Sequence, residues 1–131
     1  MSSMSPLIRR LDHLQIAIPE GGEPQARQFY CDLLGFIEEQ KPEPLAQRGG
    51  CWLRSGEAVV HLGIDEDFRA ATKAHPAFVV EGFNDLINVL SAAGSEVTRD
   101  HELAGVVRGF VKDPFGNRIE LIAASEVEPK P

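Results

Sequence analysis

The 131-residue chain carries one internal repeat, and that repeat limits the folds open to it more than any other feature. In the first half, LDHLQIAI (11–18) is a strand by its apolar content and partial alternation, and Pro19-Glu20-Gly21-Gly22 closes it. PQARQFYCDLLGF follows, with Ala26, Phe29, Tyr30, Leu33 and Leu34 spaced by three and four residues and Gly35 where a helix C-cap belongs. FIEEQKP is a weaker strand, and RGGCWLRSG and EAVVHLGI (57–64) are two strands joined at a Ser55-Gly56 turn. The second half runs through the same succession. HPAFVV (75–80) is a strand, and FNDLINVLSAAG (83–94) is a helix with Phe83, Leu86, Ile87 and Leu90 inward. SEVTRD, GVVRGFVKD and NRIELIA are strands, the last two joined by Asp113-Pro114-Phe115-Gly116-Asn117.

Each half therefore reads β-α-β-β-β. The expected fold is α+β: one domain over 1–131, with modules at about 8–64 and 75–123 whose mixed sheets curl around a shared cavity. The helices, expected over 24–34 and 83–93, lie outside it. DEDFRAATKA (65–74) is a polar linker with no core face of its own, and residues 1–6 and 125–131 read as solvated tails.

Composition excludes several classes of function. A net charge of −7 argues against a phosphate-backbone binder, so nucleic acid is not an expected partner. No apolar run approaches 18 residues, and MSSMSPLIRR lacks the apolar core and cleavage site of a secretory signal. The expectation is a cytoplasmic protein with no membrane partner. Cys31 and Cys51 are isolated in sequence and read as free thiols, because zinc-knuckle and redox motifs need paired spacing.

Overlaying the halves brings out the chemistry. His13 opens the first strand of one half and His75 the first strand of the other, while His61 and Glu120 each lie in a last strand. Imidazole and carboxylate are the ligand set for zinc, nickel, manganese and iron(II), and ligands on strands are held rigidly. Alternation puts His61 on a face with Val59 and Gly63, opposite Val60 and Leu62, and puts Glu120 with Arg118 and Ile122, opposite Ile119 and Leu121. Both candidates thus face away from the most continuous apolar set. His101 has no such partner and reads as a loop residue. Arg48, Arg54, Arg108 and Arg118 are candidates to orient an anionic substrate, because guanidinium grips carboxylate in a fork. Phe110 is a candidate cavity wall, and Tyr30 and Trp52 read as core or pocket-wall aromatics.

The repeated order, the openings LDHLQIAI and HPAFVV, the segment ARQFYCDLLGF and the ending FVKDPFGNRIELI together resemble the vicinal oxygen chelate superfamily over about residues 8–123. That superfamily includes glyoxalase I, extradiol dioxygenases, fosfomycin-resistance transferases, methylmalonyl-CoA epimerase and bleomycin-resistance proteins. The resemblance implies a divalent metal ion held by His13, His61, His75 and Glu120. His61 stands where glyoxalase I usually has glutamate, so His13, His75 and Glu120 are the implied minimal set, with His61 a fourth ligand or an acid/base. It further implies chelation of adjacent oxygens of a small-molecule substrate, with Glu120 moving a proton in a lyase or isomerase, the same site in iron(II) form serving a ring-cleaving dioxygenase. Arg48, Arg54, Arg108 and Phe110 are the expected substrate contacts. The contrasting class is a metal-free module that sequesters a drug-like molecule. A homodimer is expected, because exposed strand edges favour association and related proteins pair or swap modules.

Overall fold

The structure, a computed structural model, describes residues 5–124, so the tail at 125–131 and most of that at 1–6 lie outside the described residues. Strand β1 (Leu14–Ile18) leads into α1 (Glu23–Ala26), which continues as a π-helix over Arg27–Leu33. Then come β2 (Ile37–Glu39), a 3-10 turn (Leu45–Arg48), β3 (Cys51–Ser55) and β4 (Ala58–Ile64). The second module comprises β5 (Ala77–Val80), α2 (Phe83–Ala92), β6 (Thr98–Asp100), β7 (Arg108–Lys112) and β8 (Arg118–Ala123).

The strands form two four-stranded sheets with the same internal order, β1-β4-β3-β2 and β5-β8-β7-β6. In each sheet the first and last strands of the module pair in parallel and the remaining pairs are antiparallel, so both are mixed. The sheets are not closed on each other: among the described residues no strand of one pairs with a strand of the other. The repeat extends to register. Gln15 pairs with His61 and Ala77 with Glu120, and His13 and His75 each lie two residues before those partners. On the other flank, Trp52 lies opposite His61 and Phe110 opposite Glu120.

Alternation selects the buried face of each strand. Val60 and Leu62 of β4 and Ile119, Leu121 and Ala123 of β8 are buried against Phe29, Tyr30, Phe83 and Leu90 of the helices, while His61 points to the opposite side. The two helices also touch each other, which joins the module cores into one cluster. The first helix has the expected extent but not the expected pitch. Its wider turns, with Leu34 N–H donating to the Phe29 carbonyl at 3.0 Å, bury the adjacent residues Phe29 and Tyr30 together.

Tyr30 reaches across to the second module, where its hydroxyl donates to Asp113 Oδ2 at 2.7 Å. Asp113 Oδ1 accepts the backbone N–H groups of Phe115 and Asn117, both at 2.9 Å, so this carboxylate builds the turn that the Asp-Pro-Phe-Gly-Asn sequence predicts. Asn117 Nδ2 donates to Asp113 Oδ2 at 2.8 Å and to the Ala17 carbonyl of β1 at 2.9 Å. Its Oδ1 accepts from Ala71 N–H at 2.9 Å. The linker thus has no core face, as its polarity suggests, yet it is fastened: Arg118 N–H donates to the Ala71 carbonyl and Glu120 N–H to the Pro76 carbonyl. Those bonds lay the approach to β5 along β8 and bring His75 beside Glu120. No helix among the described residues is long and apolar enough to cross a membrane.

Candidate functional site

The first half-site is a column of three rings. Because β3 and β4 pair with Trp52 opposite His61, the indole and imidazole stack at 4.2 Å with 3° between planes. His13, just ahead of β1, covers the other face of His61 at 4.0 Å and 22°. Its Nδ1 donates to Asp12 Oδ2 at 3.0 Å, which leaves Nε2 as the nitrogen open to a ligand. That hydrogen bond, with Arg10 nearby, holds the Asp12 carboxyl below its ordinary range. Burial between two rings, and then the neighbouring His13, push His61 below the ordinary imidazole value, so it is neutral at pH 7. A hollow of about 600 Å³ opens here, walled also by Gln15, Lys41 and Arg48.

The second half-site is polar and more tightly bonded. Glu120 is only 7% exposed. Its Oε1 lies 3.0 Å from His75 Nε2, while His75 Nδ1 faces the Lys73 carbonyl at 2.8 Å. Glu120 Oε2 accepts from Arg108 at 3.2 Å, and the other terminal nitrogen of Arg108 donates to Asp100 Oδ2 at 2.6 Å. Burial works against the guanidinium charge but the hydrogen bonds to Asp100 and Glu120 outweigh it, so the Arg108 pKa is raised. Its Nε is buried without a partner among the described residues. Phe110 meets His75 edge-on at 5.6 Å and carries the Arg118 guanidinium 4.1 Å above its ring.

The four predicted ligands therefore gather as two pairs, His13 with His61 and His75 with Glu120, at equivalent positions of the two sheets. Within one chain they do not converge further: among the described residues no group of three or more His, Cys, Asp or Glu side chains is placed to hold a metal ion. Of the predicted substrate contacts, Arg48 shares the hollow with His13 and His61, and Phe110 adjoins His75. Arg54 is held by Glu39 at 2.9 Å and Arg108 by Asp100 and Glu120, so neither guanidinium is free for a substrate. His101 is exposed in a loop. Cys31 and Cys51 are free thiols, and burial pushes Cys51 up to about 11. Sequence reasoning missed Asp12 and Asp100, and read Trp52 as a core or pocket-wall aromatic without its stacking on His61. For Trp52 a signal existed, since a tight turn after Ser55 fixes Trp52 opposite His61.

The donor set fits a divalent cation. A carbonyl and a carboxylate both accept, so the His75 ring meets an acceptor at each nitrogen, the Lys73 carbonyl at Nδ1 and Glu120 Oε1 at Nε2. Nε2 and Oε1 at 3.0 Å therefore share either a proton, as an imidazolium–carboxylate pair, or a cation. His13 has the same polarity, with Nδ1 bonded to a carboxylate and Nε2 available.

A family model for the Glyoxalase/Bleomycin resistance protein/Dioxygenase superfamily matches residues 10–121. A solved glyoxalase family protein from Bacillus anthracis is 43% identical, with a TM-score of 0.86 over 92% of this chain and 98% of that one. A glyoxalase family protein from Enterococcus faecalis is 22% identical with a TM-score of 0.69, covering 87% and 97%. The fosfomycin resistance protein FosX from Listeria monocytogenes is 14% identical with a TM-score of 0.72, covering 92% and 98%; at such identities the likeness is one of fold. No curated protein matches the sequence. The chain belongs to the glyoxalase/bleomycin resistance protein/dioxygenase superfamily.

Proposed function

We propose that the protein is a divalent-metal-dependent enzyme that acts on a small oxygenated molecule through two adjacent substrate oxygens, as a lyase or isomerase rather than a ring-cleaving dioxygenase. The observation that carries this reading is the His75–Glu120 contact, in which an imidazole nitrogen and a carboxylate oxygen, both ligand types for a divalent ion, face each other at 3.0 Å. His13, His75 and Glu120 are the proposed ligands, and neutral His61 is the fourth or stands beside them. When bound, a divalent ion supplies Lewis-acid stabilisation of a developing oxyanion. Arg108 holds Oε2 of Glu120, which leaves Oε1 as the oxygen that takes a proton from the substrate and returns it. The protected position of that carboxylate favours proton transfer, hence the preference for lyase or isomerase chemistry.

The same reading includes a homodimer. His13 and His61 sit on one sheet and His75 and Glu120 on another that is not closed onto it, so a second copy is the proposed route by which the pairs meet. Exposed Leu7, Ile8 and Leu11, ahead of His13, offer apolar surface for that contact.

One observation favours a second reading. The Trp52–His61–His13 column presents aromatic rings in a hollow that also carries Asp12, Glu39, Lys41, Arg48 and Arg54, a setting suited to a planar, polar guest in a metal-free binding module. Metal analysis of the purified protein, followed by assays of dicarbonyl adducts and catechols with the identified ion, separates the two. A stoichiometric divalent ion and turnover support the enzyme; protein that neither retains nor takes up metal supports the binder.

A further inference from the structure

Arg118 is the one arginine of the candidate set that is both ordered on the ligand-bearing face and electrostatically unanswered. Arg54 is paired with Glu39, Arg108 with Asp100 and Glu120, and Arg48 lies exposed on a single 3-10 turn. Among the described residues no carboxylate lies within ion-pair distance of Arg118. Its backbone is held by β8 and by the Ala71 carbonyl, and its guanidinium rests 4.1 Å above the Phe110 ring. A stacked guanidinium loses little further freedom when its fork meets a planar anion. Alternation places Arg118 on the same face as Glu120, two residues away, and Phe110 is the cross-strand partner of Glu120.

Across the ladder from Arg118 stands Lys112, also without a carboxylate partner among the described residues. Like charges directly opposite on one sheet face repel. Lys112 is exposed and Arg118 half-buried, so water screens part of this repulsion and a bound anion would relieve the rest. The two cations wall a cleft of about 620 Å³ with Phe110, Thr72 and Thr98; His75 and Glu120 do not line it, but Phe110, edge-on to His75, and Arg118, which also walls a second hollow with His75, stand between the cleft and that pair. Glu96 also lines it, leaving an excess of positive charge; Asp113 does too, but its carboxylate is taken up by Tyr30 and Asn117.

We infer that Arg118, stacked on Phe110 and seconded by Lys112, is an oxyanion-recognition site beside His75 and Glu120, so the substrate carries a carboxylate or phosphate-type group next to the oxygens those residues face. The inference rests on the proposed site at His75–Glu120 and narrows its substrate class. Arg118 acts by binding and orienting, and moves no proton.

The test is calorimetric titration of the full-length protein in chelator with malonate, inorganic phosphate and neutral dihydroxyacetone. Wild type is expected to bind at least one of the two anions saturably and dihydroxyacetone far more weakly. A preference for malonate assigns a carboxylate substrate and a preference for phosphate a phosphorylated or phosphonate one. Arg118→Gln should weaken anion binding by about ten- to hundredfold, the span of hydrogen bonds to a charged group. Arg118→Lys should fall between, because a point charge lacks the fork. Phe110→Leu keeps the charge and removes the platform, and should weaken binding about two- to fivefold. Arg27→Gln removes the same charge from the helix side and should bind as wild type. Anion affinity indifferent to Arg118→Gln, or lowered equally by Arg27→Gln, overturns the inference. Manganese titration of the same proteins separates it from the metal reading: a wild type that binds anions through Arg118 but takes no metal refutes only the metal, and one that takes metal while ignoring Arg118 refutes only the anion site.

Discussion

His75 Nε2 lies 3.0 Å from Glu120 Oε1, while the opposite nitrogen of the same ring is committed to the Lys73 carbonyl. His13 and His61 occupy the equivalent places in the other module, and a dimer that joins unlike halves makes an unusual complementation possible. His13→Ala and Glu120→Gln chains are each expected to lose metal binding by more than the about 10–100-fold seen when only an outer partner of a ligand is removed. Co-refolded, they form heterodimers in which one site carries both defects and the other carries none. Random pairing makes about half of the dimers hetero, so about a quarter of the wild-type metal stoichiometry is expected in the mixture and about half in the isolated heterodimer. If the mixed sample binds no better than its parents, the pairs do not meet across chains.

Arg108 bridges Asp100 and Glu120, so Arg108→Met strands two partly buried carboxylates. A lowered midpoint of urea unfolding is expected for the metal-free protein. A divalent ion bound beside Glu120 replaces part of the missing counter-charge, so added zinc should recover more stability in Arg108→Met than in Arg108→Lys. Equal recovery in both would remove Arg108 from the neighbourhood of the bound ion.

His61 is pressed between two rings, and its burial, followed by the charge of His13, lowers its pKa below 6.5. A lowered imidazole pKa means that the unfolded chain binds protons more readily than the folded one. The contribution of neutral His61 to stability is thus complete above about pH 6.5 and declines as pH falls toward its folded pKa. Trp52, the only tryptophan in the chain, stacks on this ring and reports its charge. Its fluorescence in metal-free protein should titrate with a midpoint below 6.5, and His61→Gln should abolish the transition.

Asn117 joins the second-module turn to β1 and to the linker, and Tyr30 joins the same Asp113 carboxylate to the first helix. Asn117→Ala and Tyr30→Phe should each destabilise by about 1–3 kcal/mol. Because both donate to Asp113 Oδ2, their effects should not add. Strict additivity in denaturant melts would show that the two bonds act independently.

The repeat made much of this legible. Period-two alternation and the spacings of three and four identify the modules, the inward residues and the faces of His61 and Glu120, because burial imposes those periods directly. The pitch of the first helix is not legible, since Phe29, Tyr30, Leu33 and Leu34 make a stripe on α- and π-turns alike. Nor is the fastening of the linker, whose bonds at Ala71 and Pro76 are made by backbone groups that leave no mark on residue choice. The repeat establishes that His13 and His75 are equivalent but not that they are near each other, and the structure sets them on separate sheets. Arginine identity alone did not distinguish the ion-paired Arg54 and Arg108 from Arg118; that required the partners supplied by register at Glu39 and Glu120 and by the loop before β7 at Asp100.

The central claim is that these two pairs together hold one divalent ion. Its most direct test is calorimetric titration of zinc, nickel, manganese and iron(II), the last without oxygen, into the wild type and into a His13→Ala, Glu120→Gln double variant above pH 7, where protons compete least with the metal for imidazole. Saturable binding of at least one of these ions at one per chain is expected in the wild type, weakening as pH drops below about 6.5, with none at matching concentrations in the double variant. Equal affinity in the two proteins would contradict it, and the metal-free binding module would take its place.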